Sequence, residues 1–321
     1  MNDVVDPSHA LEHPALHAAL TRPALRDVIA LGKPRIAAMT LVTGGGTFAL
    51  AAPVLDVATV VRGALGLLGV ALIVMGAGAF NMILERDLDT LMTRTKDRPL
   101  AAKRMSTSTA TVIASLLVLS SLPLLTVFGN VLTLALALTS LFLYVLVYTP
   151  MKRTSPWSLV VGAIPGAAPA LMGGTLAAGR FETAGVALFA IAFLWQLPHF
   201  LAISVYREND YSAAGHKVFP AVVGVDNTKA LIIATTAPLA ALGVALWPMG
   251  LAGPVYALVA LIIGVWFTLT CVAGYAPTLE TRADVDVWAR RVFIGSLVWQ
   301  TVVFGALACD RVFSAMQSTI G

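Results

Sequence analysis

The sequence predicts an all-α polytopic membrane protein, a bundle of about nine transmembrane helices. Of its 321 residues, 58% are hydrophobic and only 12% are charged, and the mean hydropathy is +0.85. Soluble domains are usually about 45–50% apolar and about 25% charged. A soluble core of this size cannot bury so much apolar surface, whereas a lipid bilayer accommodates it.

Nine apolar runs follow one another along the chain, and each is long enough to cross a hydrocarbon layer of about 30 Å as a helix. They lie near residues 35–54, 60–84, 108–128, 130–149, 156–179, 183–206, 229–248, 252–275 and 292–309.

The charges of the connecting loops predict the orientation. If the N-terminus is cytoplasmic, all of the 21 Lys and Arg residues except Arg62, Arg180 and Arg311 lie on the cytoplasmic side. This asymmetry follows the positive-inside rule and places the C-terminus outside. It also explains the net charge of +4 and the pI of about 9.2 without nucleic-acid binding.

The N-terminal 29 residues contain several acids and no apolar run before a cleavage site, so they resemble neither a signal peptide nor a transit peptide. We therefore expect a cytoplasmic tail over residues 1–29, a single transmembrane domain over residues 30–321, and a bacterial inner-membrane location.

The segment after the second apolar run contains the first candidate site. Asn81, Glu85 and Asp89 are spaced i, i+4 and i+8, so a helix places all three on one face. Two carboxylates and an amide suit Mg²⁺, which completes its octahedron with water and phosphate oxygens. A charged loop that only sets topology explains nearby bases, but not acids running back into the membrane.

Basic residues on the same side are candidates for binding a phosphate-bearing substrate. They are Arg86, Arg94, Lys96, Arg98, Lys152, Arg153, Arg207 and Lys217. Their alternative role is as markers of the cytoplasmic side.

A second polar cluster ends the sixth apolar run. His199, Tyr206 and Asp210 are spaced i, i+7 and i+11, again close to one helix face. A histidine inside a membrane span and aligned with an acid favours a substrate or cofactor contact over a packing role. Arg86, Asp89 and Pro99 recur at a constant shift as Arg207, Asp210 and Pro220, which suggests a parallel repeat around one site.

The pattern N-x-x-x-E-x-x-x-D followed by R-T-K-D-R-P-L resembles the first aspartate-rich motif of the UbiA-type intramembrane prenyltransferases. Other segments are similar to the haem-farnesylating branch of that family. They are K-P-R-I at 33–36, E-R-D-L-D-T-L-M-T-R-T-K-D-R-P-L at 85–100, Y-T-P-M-K-R at 148–153, W-Q-L-P-H-F at 195–200 and Y-R-E-N-D-Y-S-A-A-G at 206–215.

The resemblance implies a Mg²⁺-dependent enzyme in the membrane lipid that transfers a farnesyl group from farnesyl diphosphate to a vinyl group of haem b, with addition of water, giving haem O and diphosphate. It assigns Asn81, Glu85 and Asp89 to the metal and His199, Tyr206 and Asp210 to a second motif. Relatives that act on phenolic rings have aspartates where His199 and Tyr206 stand, so the resemblance implies a site rebuilt around haem. A haem-modifying enzyme or an oxidase-assembly protein is the partner that such a pathway suggests.

Aromatic side chains complete the expected site. Trp195, Tyr148 and Phe200 are candidates for stabilising an allylic cation. His199 is the candidate for ligating or orienting the haem iron, and Tyr206 for positioning phosphate or water.

Three other functions share part of this pattern. A prenyltransferase acting on an aromatic acid, a quinone precursor or chlorophyllide would share the first motif but favour an acidic second motif. A secondary transporter would share the repeat but need no Mg²⁺. A haem-binding protein without catalysis would explain His199 and leave the first motif without a role.

Overall fold

The computed structural model describes residues 24–277 and 279–320, with side chains as far as residue 313. Every regular element in these residues is helical. The helices are α1 (Leu25–Leu31), α2 (Pro34–Ala51), α3 (Val57–Leu84), α4 (Arg86–Asp89), α5 (Thr107–Val127), α6 (Val131–Phe142), α7 (Thr149–Met151), α8 (Ser158–Ala178), α9 (Thr183–Tyr206), α10 (Glu208–Ala213), α11 (Phe219–Val223), α12 (Val225–Ala245), α13 (Pro254–Val272) and α14 (Arg282–Ile320).

Each of the nine predicted apolar runs coincides with a helix, which confirms the all-α membrane fold. Among the described residues, eight helices are long and apolar enough to cross a membrane. The run not counted is α2, an 18-residue helix that contains Arg35 and three consecutive glycines. The last helix begins at Arg282, well before the predicted start at residue 292. The orientation of the termini stays a prediction.

The N-terminal tail that we predicted over residues 1–29 lies mostly outside the described residues. Its last part forms α1, where Asp27 is buried and forms an ion pair of 3.0 Å with Arg104. This pair fixes α1 to the loop that precedes α5.

Polar side chains start several membrane helices by accepting a hydrogen bond from a free backbone N–H of the first turn. Asp56 caps α3 through Thr59 N at 2.8 Å, and Asn130 caps α6 through Thr133 N at 2.9 Å. The apolar runs therefore become helices with defined starting residues.

Helix α8 lies at the centre of the first half of the bundle, between α2 and α9. It approaches α2 so closely that a Cβ at Gly173 would overlap the carbonyl oxygen of Gly44 and lie 2.8 Å from its carbonyl carbon. Helix α3 packs mainly against α5, and α9 also contacts α12 and α14. Large apolar side chains such as Leu116 and Ile262 are exposed on the outer surface, where lipid replaces water.

The two segments related by the sequence repeat have the same local structure. Helix α3 breaks at Glu85 and continues into the short α4, and α9 breaks at Arg207 and continues into α10. The segments that follow these breaks meet, since the backbone N–H of Thr93, in the loop after α4, donates to Asp210 Oδ1 of α10 at 3.2 Å. This contact brings the two polar segments to one end of the bundle.

Helix α6 does not continue as a regular α-helix. Residues Leu143–Tyr148 form a π-helical segment that leads into the single turn of α7. The segment presents the rings of Tyr144 and Tyr148 side by side, with centroids 5.2 Å apart. Such π-helical turns are often found at functional sites.

Candidate functional site: a cavity with a charged end and an apolar end

A cavity of about 470 Å³, here called the central cavity, lies among α2, α3, the π-helical segment, α8 and α9. Its charged end is lined by side chains from helix ends and loops, namely Lys33, Asn81, Glu85, Arg94, Arg98, Tyr148, Lys152, Tyr211, His216 and Lys217. Its apolar end lies within the helices and is lined by Ile36, Ile73, Val74, Ala77, Ala137, Leu141, Pro165 and Pro169. Eight residues of α3 separate Ile73 from Asn81, which corresponds to about 12 Å of helix.

The small residues of α8 help to make this space. Gly173 has a packing role, because it lies against the Gly44 carbonyl of α2. Gly162 and Gly166 instead line the central cavity. A Cβ at Gly162 would lie 2.5 Å from the Tyr148 ring, so glycine lets the ring occupy this wall.

The predicted stripe of the first motif is present on one helical path. Backbone bonds from Glu85 N to Asn81 O (3.0 Å) and from Asp89 N to Glu85 O (2.8 Å) carry the helical register through the break. Asn81 and Glu85 line the central cavity, whereas Asp89 is fully buried just beyond it. Two of the three predicted metal-binding side chains therefore face the cavity directly.

Each member of the stripe has a basic partner. Lys33 Nζ donates to Asn81 Oδ1 at 2.6 Å, and Lys152 Nζ donates to Glu85 Oε1 at 2.7 Å. Arg98 Nη1 lies 2.8 Å from both carboxylate oxygens of Asp89. The three bases all line the cavity, so the site combines oxygen ligands and cationic groups within one charged end.

These pairs perturb the ionisation of the site. Burial acts to raise the pKa of Glu85, but the ammonium groups of Lys152 and Lys33 outweigh it and hold that pKa below its usual range. Burial and then the positive charges of Arg98 and Lys152 lower the pKa of Lys33 to about 7. Burial likewise lowers the pKa of His216, and Lys152 adds to the effect.

Contrary to expectation, the residues of the second predicted cluster do not line the central cavity. His199 stacks on Trp195 and against Phe293, and its Nδ1 lies 2.7 Å from Ser296 Oγ. Since the Ser296 hydroxyl donates to Phe293 O at 2.6 Å, His199 Nδ1 is the donor in this contact. Helix α14 thus covers the face of α9 that was predicted to meet the substrate, and His199 is buried against it.

Tyr206 and Asp210 are also outside the cavity lining. Tyr206 packs between the guanidinium groups of Arg207 and Arg290, at 5.6 and 5.4 Å from its ring centroid. Asp210 connects α10 to the loop after α4 through Thr93, and among the described residues its buried Oδ2 accepts no hydrogen bond, although it lies 3.8 Å from Arg207 Nη1. His199 and Tyr206 share one face of α9, but that face packs against α14 and not against the cavity.

Some of the predicted basic residues line the central cavity and others do not. Of the predicted substrate-binding residues, Arg94, Arg98, Lys152, Lys217 and Tyr148 line the cavity. The other proposed substrate-binding residues do not line it, because they lie on outward faces or bond elsewhere. These are Arg86, which bonds Ile83 O; Lys96, Arg153 and Arg207, which are exposed; and Trp195, whose Nε1 donates to Ser296 O.

Sequence reasoning missed several residues of the cavity. Lys33 precedes Pro34 at the start of α2 with a left-handed backbone (φ 50°), and this directs its side chain to Asn81. Tyr211 and His216 follow the second motif, and His216 lies after the end of α10. The one sequence signal for these residues is their position: Lys33 and Tyr211 lie within segments that resemble the family, and His216 directly follows one.

Comparison with known proteins places this geometry in a family. Residues 37–307 match the model of the UbiA prenyltransferase family. A protoheme IX farnesyltransferase from an Anaeromyxobacter species is 43% identical over 282 residues, covering 88% of this chain and 92% of the relative. One from Sorangium cellulosum is 45% identical over 244 residues, covering 76% and 85%.

Solved structures give the same fold at low sequence identity. A digeranylgeranylglyceryl phosphate synthase superposes with a TM-score of 0.74 at 14% identity, over 89% of this chain and 98% of the other. A UbiA homologue from Archaeoglobus fulgidus bound to GPP and Mg²⁺ superposes with a TM-score of 0.63 at 17% identity, over 88% and 99%. The chain therefore belongs to the UbiA prenyltransferase family, in which it groups with the protoheme IX farnesyltransferases.

Proposed function

We propose that this chain transfers a farnesyl group from farnesyl diphosphate to a vinyl group of haem b, with addition of water, to give haem O and diphosphate. The observation that carries the proposal is the two-ended central cavity, in which bases and oxygen ligands adjoin an apolar space. Such a space suits a prenyl diphosphate, which is an apolar chain with a polyanionic head. The identity to protoheme IX farnesyltransferases supports haem as the acceptor.

The residues present fit Mg²⁺. Asn81 and Glu85 supply oxygen atoms to the cavity, and Asp89 lies one turn further along the same face. An amide and one or two carboxylates suit Mg²⁺, which leaves its other positions to water and phosphate oxygens. Bound there, Mg²⁺ would neutralise negative charge on the diphosphate.

The bases of the charged end hold the diphosphate and stabilise the charge that develops on it as the C–O bond breaks. They are Lys33, Arg94, Arg98, Lys152 and Lys217. Tyr148 and Phe200 also line the cavity, and aromatic faces of this kind can stabilise the allylic cation. Ile73 and its apolar neighbours keep water from the farnesyl chain.

Two earlier expectations change with this geometry. His199 is enclosed by aromatic rings and Ser296, so we assign it to fixing α9 against α14 rather than to the haem iron. Trp195 shares that contact and is not assigned to the cation. For the cellular setting, we propose a bacterial inner membrane with the charged end at the cytoplasmic side, and one transferase domain over residues 30–321.

Product analysis tests the proposal directly. Purified protein in lipid is incubated with haem b, farnesyl diphosphate and Mg²⁺, and the haem fraction is analysed by mass spectrometry. We expect a hydroxyfarnesyl haem that disappears with a chelator and in the Glu85→Ala variant. Prenylation of an aromatic acid or quinone precursor, with none of haem, would contradict the acceptor and keep the reaction class.

A further inference from the structure

The carboxamide of Asn81 is held from behind by a side chain that the proposed reaction does not otherwise use. Asn81 Nδ2 donates to the hydroxyl oxygen of Thr149 at 3.0 Å, and both residues are buried. We infer that Thr149 is a positioning residue, whose hydroxyl fixes the Asn81 carboxamide with its oxygen toward the central cavity. The inference rests on the proposed function, because it takes Asn81 as an oxygen ligand.

The direction of these hydrogen bonds follows from the number of protons available. A threonine hydroxyl has one proton, and Thr149 donates it to the backbone oxygen of Tyr144 at 2.8 Å. The hydroxyl can then only accept from Asn81, and only the NH₂ group of a carboxamide can donate. The arrangement therefore excludes the flipped carboxamide, which would present NH₂ to the cavity.

A second contact agrees with this orientation. Lys33 Nζ donates to Asn81 Oδ1 at 2.6 Å from the cavity side. A flipped Asn81 would direct its NH₂ group at this amine, which in its charged form can only donate. The oxygen of Asn81 is thus on the side where a cation binds, and Thr149 is on the other.

The π-helical segment explains why the Thr149 hydroxyl points where it does. The backbone N–H of Thr149 bonds to the oxygen of Tyr144, five residues earlier, instead of the α-helical partner Val145. In a regular helix, a threonine hydroxyl bonds a carbonyl three or four residues earlier. Here it bonds the same Tyr144 oxygen as its own N–H, so both polar groups of Thr149 are fixed by one acceptor.

The expected effect is on metal affinity. Side chains that orient a metal ligand through a hydrogen bond typically change affinity or activity by about 10–100-fold when removed. Thr149→Val keeps the shape and the branched Cβ but can no longer accept from Asn81. Thr149→Ser keeps the hydroxyl.

The test measures Mn²⁺ binding by electron paramagnetic resonance in the presence of inorganic pyrophosphate, with purified full-length protein in lipid. We expect Thr149→Val to raise the Mn²⁺ dissociation constant by about 10–100-fold, and Thr149→Ser to stay within about threefold of the wild type. Thermal unfolding of each variant is measured alongside, and the comparison uses the fraction that remains folded.

The Asn81→Asp background separates positioning from a general structural effect. An aspartate has two equivalent oxygens, so its orientation does not need the Thr149 hydroxyl, and Thr149→Val should then change Mn²⁺ affinity less than threefold. Equal losses in both backgrounds, or equal losses for Val and Ser at position 149, would overturn the inference. Failure of the proposed function is a different result, because it appears as no haem product while Mn²⁺ and pyrophosphate still bind.

Discussion

The depressed pKa of Lys33 makes substrate affinity depend on pH in a direction that the structure specifies. In the free protein, burial and the charges of Arg98 and Lys152 lower this pKa to about 7, against smaller opposing effects of Glu85 and Asp89. In the proposed function, the diphosphate binds the charged form of Lys33. We therefore expect its affinity to be nearly full at pH 6 and to decrease as pH rises through about 7.

The magnitude follows from the fraction of protein that is competent to bind. With a pKa of about 7, Lys33 is about 90% charged at pH 6 and about 10% charged at pH 8. Because the apparent dissociation constant is the intrinsic value divided by the competent fraction, it should increase by about tenfold between these pH values. The bound diphosphate keeps Lys33 charged over the same range.

The assay is the KM for farnesyl diphosphate, or its dissociation constant, across pH 6–8.5 in wild type and Lys33→Arg. A guanidinium stays charged throughout, so the variant should lose this tenfold dependence. Ionisation of the substrate and of His216, whose pKa is also lowered, is common to both proteins and cancels in the comparison. Parallel pH profiles for the two proteins would refute the assignment of the titration to Lys33.

Three further outcomes follow from named contacts. Lys152→Met leaves the buried Glu85 carboxylate without its 2.7 Å partner. We expect a higher KM for farnesyl diphosphate. We also expect a loss of about 3 kcal/mol in unfolding free energy, measured by denaturant titration in lipid-detergent micelles. Gly173→Ala forces α8 away from the Gly44 carbonyl and should destabilise the protein by about 1–3 kcal/mol in the same titration. Gly46→Ala is the control and should not destabilise it, because no described atom lies within 4 Å of the new Cβ. Equal effects of the two variants would contradict the close approach of α8 to α2. His199→Asn should leave the KM for farnesyl diphosphate within about twofold, since His199 is outside the cavity, and an increase as large as that of Lys152→Met would show that this placement is wrong.

The sequence predicted the helices well because the hydropathy of a segment indicates how long it is and whether lipid surrounds it. It could not predict the π-helical segment at Leu143–Tyr148, since the register of backbone hydrogen bonds leaves no mark on hydropathy. The sequence placed Asp89 and Asp210 on the continuing faces of long helices, whereas in the structure they belong to the separate short helices α4 and α10. Their helical turns depend on the bonds that continue past Glu85 and Arg207.

The candidate site was predictable where it depended on one helix and not where it depended on two. The spacing of Asn81, Glu85 and Asp89 determines their common face, and the structure retains it. The spacing of His199 and Tyr206 also defines a face, but spacing does not say which neighbour covers it, and here α14 does. Lys33 was missed because it precedes α2 while Asn81 belongs to α3, and spacing within one helix cannot predict a contact between the two.

The pairing of Asn81, Glu85 and Asp89 with Lys33, Lys152 and Arg98 has a consequence for the binding equilibria. A divalent cation entering alone would join three cationic side chains, and a diphosphate entering alone would meet the carboxylates. If both entered together, as the proposed function requires, the anion would take the bases and the metal would take the freed oxygens. Each ligand would then raise the affinity for the other by the same factor, as thermodynamic linkage requires. We therefore expect metal and diphosphate to bind this site as a positively cooperative pair.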